Sequence, residues 1–144
     1  FNRGICYRKL EELDQAKEDF DKVISLEPGN SNAYLQRGII YRLKENFEYA
    51  IRDYTQALVY DPNNIDAYYN RGIAYSKIDN HQLAIKDFSK VIQMRPEDRD
   101  AFLNRGIELV VSGKKSDGCS DITRAADLGL ERAIKTRIEF CGND

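Results

Sequence analysis

Three kinds of side chain in this sequence could do chemistry: one histidine, three cysteines and a ladder of arginines. His81 stands between Asn80 and Gln82 with no second His or Cys at ligand spacing. It therefore reads as a surface histidine rather than a metal ligand or general base. Cys6, Cys119 and Cys141 are too widely spaced for a zinc site or a C-x-x-C redox motif. The glycines stand singly, so no Gly-rich loop is present to cradle phosphate. No catalytic site, metal or cofactor is expected from these residues. The arginines are more ordered. Arg3, Arg37, Arg71 and Arg105 are each followed 16 residues later by Asp19, Asp53, Asp87 and Asp121. A constant interval between a planar guanidinium and a carboxylate points to a structural pair, and the alternative is a row of cations open to anionic ligands.

The elements that carry these residues follow from a repeat. Asn2-Arg3-Gly4, Gln36-Arg37-Gly38, Asn70-Arg71-Gly72 and Asn104-Arg105-Gly106 recur at 34-residue steps, as do Pro28, Pro62 and Pro96. Within a unit, Ala33, Tyr34, Arg37, Gly38 and Tyr41 recur at helical steps, and so do Ala50, Tyr54, Ala57 and Leu58. Each unit is thus two helices, expected near 1–10, 14–27, 31–44, 47–60, 65–78, 81–94, 99–112 and 115–128, with a last helix at 130–141. Proline ends one unit, and Asn30, Asn64 or Asp98 two residues later caps the next helix. Gly38 and Ala50 lie symmetrically about the turn at Glu45, so they are expected to face each other. The chain of 144 residues has 22 basic and 24 acidic side chains, a net charge of −2 that gives no field for nucleic acid. No apolar run approaches the roughly 20 residues of a membrane span.

An aromatic-x-x-x-Gly-x-x-Tyr segment, then Ala-x-x-x-aromatic, then Pro, on this period resembles the tetratricopeptide repeat. The second and third units carry it best, in Tyr34, Gly38, Tyr41, Ala50, Tyr54 and Pro62, then Tyr68, Gly72, Tyr75, Ala84, Phe88 and Pro96. The resemblance implies an all-α, right-handed superhelical solenoid of antiparallel helix pairs with a C-terminal capping helix. Its expected divisions are 1–30 (N-terminally truncated), 31–64, 65–98, a degenerate 99–129, and a cap and tail at 130–144. The fourth unit drifts, with Leu109, Gly118, Ile122 and Leu130 at the usual Tyr, Ala, ring and Pro places. Gly142-Asn143-Asp144 reads as the end of the solenoid.

By the same resemblance, the first helices line a concave groove through three columns: Asn2, Gln36, Asn70 and Asn104; Leu35, Tyr69 and Leu103; and Ile5, Ile39, Ile73 and Ile107. Arg42 and Lys77 lie further along those helices. Amides pair with the backbone of any extended peptide, so the expected function is a non-catalytic scaffold that binds a linear peptide or partner helix. The alternative, resting on the asparagine column alone, is a substrate-presenting arm of a larger enzyme whose catalytic domain lies outside this chain. Repeats that clamp a chaperone's C-terminal carboxylate place Lys and Asn where this chain has Leu35, Tyr69 and Leu103 and the isoleucines, so such tails are not the expected partner. Cys119 and Cys141 straddle the turn at Gly129 at similar heights and are expected to face each other. Reduced, they fit a cytoplasmic protein; bonded, an exported or periplasmic one.

Overall fold

The computed structural model describes residues 1–142; Asn143 and Asp144 of the expected tail lie outside the described residues. Among the described residues the regular structure is entirely helical: α1 (Asn2–Lys9), α2 (Leu13–Leu26), α3 (Ser31–Leu43), α4 (Phe47–Tyr60), α5 (Ile65–Lys77), α6 (His81–Met94), α7 (Arg99–Val111), α8 (Lys115–Asp127) and α9 (Glu131–Cys141). Every helix begins and ends within about a residue of its expected span.

The caps explain the starts. Asn30, Asn64 and Asp98 each accept, through a side-chain oxygen, the N–H three residues on, at 3.0 Å. The turns inside the helix pairs share another device. Glu11, Glu45 and Asp79 take the left-handed conformation at φ 61°, 57° and 57°, and Gly113 holds the same place at φ 88°. Each turn closes with an N–H bonded five residues back, as in Asn46 to Tyr41 (2.8 Å) and Lys114 to Leu109 (2.8 Å).

The chain divides into two compact units, one from Phe1 to Ala74 and one from Tyr75 onward, with the division inside α5. In the first, α1 packs on α2, α2 on α3 and α3 on α4. Its core is built from Ala16, Phe20 and Ile40, and from Leu35, Ala50, Tyr54, Ala57, Leu58, Ala67 and Ala74. In the second, α6 packs on α7, α7 on α8 and α8 on α9, around Leu103, Ile122, Ala125 and Ala133.

A Cβ on Gly38 would lie 2.6 Å from the Tyr54 ring, so the missing side chain admits that ring. In the α7–α8 pair two glycines do meet: a Cβ on Gly118 would stand 2.5 Å from the Gly106 carbonyl oxygen. Gly118, which reads in sequence as drift from the repeat, permits this close backbone approach.

Candidate interaction surfaces

The arginine column is occupied within the fold. Arg37 binds Asp53 through Nε and Nη2, both at 2.7 Å, and its Nη1 donates to Asp21 on α2 at 2.7 Å. Arg3 holds Asp19 in the same two-pronged way, and Arg105 holds Asp121 at 2.6 and 2.9 Å. Arg71 and Asp87 belong to different units; within the first unit Arg71 donates to Thr55 at 3.1 Å. Arg105 makes the equivalent bond to Ser89, also 3.1 Å. Asp21, Thr55 and Ser89 thus form a second column, 16 residues before each arginine. It is harder to find in the sequence because its residue type changes from carboxylate to hydroxyl. Burial alone would raise the Asp21 carboxyl, but Lys17 and Arg37 together hold it below the ordinary range. Asp19 is lowered by its bond to Arg3.

The expected groove columns separate by burial. Leu35 and Leu103 are 5% and 3% exposed and belong to the two cores, which removes them from any ligand-facing surface. Tyr69, Gln36, Asn70 and Asn104 are half-buried, as are Ile39, Ile73 and Ile107. Ile39 packs against the core of the first unit and Ile107 against that of the second. Gln36 Oε1 is buried with no hydrogen-bond partner, whereas Asn70 Nδ2 donates to the Asp66 carbonyl at 2.8 Å. Arg42 is half-buried with an unpartnered Nε, and Lys77 is exposed.

Two sites go beyond the sequence reading. His81 is not a free surface histidine: its Nδ1 lies 2.7 Å from Oε2 of Glu108, a buried carboxylate on α7. Ser76 donates to the other oxygen, Oε1, at 2.5 Å. The signal was present in sequence as an acid at a place where the other units hold Cys6, Ile40 and Ala74. Among the described residues no group of three or more His, Cys, Asp or Glu is placed to hold a metal ion. The second is a depression of about 440 Å³ between α3 and α4, lined by Tyr34, Arg37, Tyr41, Tyr49, Arg52, Asp53 and Gln56.

Cys119 and Cys141 meet as expected, with Cα atoms 5.7 Å apart and sulfurs at bonding distance, tying α8 to α9. Cys6 is a free, exposed thiol. Among the described residues no helix is long and apolar enough to cross a membrane.

Comparison with known proteins agrees with this architecture. A family model for the tetratricopeptide repeat matches residues 1–30 and 65–98, and one for the TPR repeat matches residues 38–79. No curated protein matches the chain. Among solved structures it is similar to a crystal structure of MamA, at 24% identity over 93% of this chain and 80% of that one, with a TM-score of 0.88. It is also similar to MamA 41-end from Desulfovibrio magneticus RS-1, at 22% identity over 87% of this chain and 71% of that one, TM-score 0.81. The Arabidopsis OM64 TPR domain is similar at 20% identity over 76% of this chain and 93% of that one, TM-score 0.73. These likenesses concern the fold. With helix pairs, turn chemistry and two matching family models in agreement, the chain belongs to the tetratricopeptide-repeat superfamily.

Proposed function

We propose that this chain is a non-catalytic interaction module whose first helices bind a linear peptide. Repeat proteins of this superfamily act as protein-interaction scaffolds, and the finer reading concerns which residues make contact. The observation that carries it is the pair Gln36 and Ile39, an amide and an apolar side chain one turn apart on α3 and both half-buried. An amide beside an apolar side chain suits a peptide backbone group followed by an apolar residue. In the first unit Asn70 and Ile73 repeat that pair one period on, and in the second unit Asn104 and Ile107 do so again. Asn70 has one amide proton engaged by its own helix, which leaves its carbonyl oxygen for a ligand.

Selection from a random linear-peptide library followed by titration tests this. The selected peptide is expected to bind with a micromolar constant, about −8 kcal/mol. Ile39→Lys should abolish binding while the helical circular dichroism is unchanged. Equal affinity for wild type and Ile39→Lys would refute the reading. The bonded cysteine pair supports an oxidising compartment as the place where the module works.

A further inference from the structure

We propose a second docking site, on the opposite flank of α3, for an acidic segment in the polyproline-II conformation. Tyr34, Arg37 and Tyr41 share one face of α3, and at about 100° per residue Ile39 lies about 170° from its centre. The depression between α3 and α4 is therefore separate from the peptide surface proposed above, and the two can fail independently.

Its geometry is a pair of ledges. Tyr34 stacks on Tyr60 with ring centres 5.6 Å apart, and Tyr41 stacks on Tyr49 at 5.3 Å. Each α3 ring is thus held in place by a ring from α4, so little side-chain freedom remains to be lost on binding. Tyr34 and Tyr41 are seven residues apart on one helix, a rise of about 10.5 Å. A polyproline-II chain repeats every three residues at about 3.1 Å each, so its prolines at i and i+3 are about 9.3 Å apart on one side. The two spacings agree to within the width of a ring. A helical ligand would place residues at i and i+7 at this distance and bring its own carbonyls already satisfied. A polyproline-II chain leaves its carbonyls free, and the Gln56 amide lines the same depression with no hydrogen-bond partner among the described residues.

Charge selects the segment. Arg37 at the floor, together with Lys17, is balanced by Asp53 and Asp21. Arg52 on α4 is exposed, lines the same depression, and has no ion pair or hydrogen bond among the described residues. One unpaired guanidinium beside tyrosine ledges matches one carboxylate between two prolines. It is too little positive charge for a nucleic-acid strand, which needs a basic track along its backbone.

The test titrates the intact chain with a blocked ten-residue peptide of alternating proline and glutamate, read by calorimetry. Controls are the same peptide with lysine for glutamate, the same peptide with alanine for proline, and a ten-nucleotide oligothymidine. The acidic proline peptide is expected to bind with a constant of about 100 μM or tighter, and both peptide controls at least about tenfold more weakly. Arg52→Glu and Tyr49→Ala alter exposed side chains, so the fold should survive, as circular dichroism would verify; each should weaken binding about tenfold. Ile39→Lys should leave it unchanged. Tighter binding of the lysine peptide or the oligonucleotide, no heat from the acidic peptide, or equal affinity in Arg52→Glu would overturn the proposal. A loss in Ile39→Lys equal to that in Tyr49→Ala would do the same, because it would place the peptide on the other flank.

Discussion

Arg37 is held between two carboxylates, and the three groups are unequal. Asp53 is 3% exposed and has Arg37 as its cation, whereas Arg37 keeps Asp21 if Asp53 is removed. Arg37→Ala should therefore destabilise the protein more than Asp53→Ala, because it strands a buried charge. A double-mutant cycle by urea denaturation should give a coupling of about 0.5 to 3 kcal/mol, and additive losses would show that the pair contributes nothing specific. The same cluster has a pH signature. The Asp21 carboxyl is lowered in the folded state, so its stabilisation is complete above the unfolded value, about pH 4. It is lost as pH falls through the lower folded value. Asp21→Asn should thus flatten the acid limb of the stability curve, measured by thermal melts between about pH 2 and 5. The Arg37–Asp53 interval was legible because both types recur unchanged. The Asp21 contact was not, since its column reads Asp, Thr, Ser.

Helix pairs depend on turns that most residues resist. Glu11, Glu45 and Asp79 adopt a left-handed conformation that glycine accepts freely, and Gly113 marks the same place in the α7–α8 turn. Glu45→Gly should raise stability by about 0.5 to 1 kcal/mol, the relief of a side-chain clash less the added freedom of the unfolded chain. A lower melting temperature would show that the Glu45 side chain does something further. The last pair is joined by Cys119 and Cys141. Thiol counting under denaturing conditions, without reductant, should find one free thiol, Cys6, in protein from an oxidising compartment. Cys119→Ser/Cys141→Ser should lose about 3 kcal/mol in that state through the freed loop. Three free thiols in native protein would place it in a reducing compartment instead. That these cysteines meet was legible from their symmetry about Gly129; the bond itself depends on where the protein resides.

Within each of the two units, helices pack mainly on their neighbours in the chain, so stability is distributed along the helices rather than held in one centre. Terminal elements then open first. Hydrogen exchange followed by mass spectrometry should find α4, which carries Ala50, Tyr54 and Ala57 at 0% exposure, among the slowest segments. Adding reductant should accelerate exchange in α9 while leaving α4 unchanged. Equal acceleration in both would mean that the array unfolds as a single cooperative block.

The sequence by itself determined the helices, their ends and their pairing, because these follow from local rules: a 34-residue period, apolar residues at helical steps, and Asn or Asp two residues after each proline. It also specified the Arg–Asp interval and the approach of Cys119 to Cys141. Only the tertiary structure decided which way a column faces. Leu35 and Gln36 are adjacent in sequence, yet one enters the core and the other keeps a buried oxygen without a partner. A turn of about 100° per residue separates them, and the packing partner that chooses between those directions is not written in the spacing. The same holds for His81, whose partner Glu108 lies 27 residues away on another helix. Such contacts arise from how two helix surfaces meet, and a repeat pattern constrains that meeting only where every unit uses the same residues.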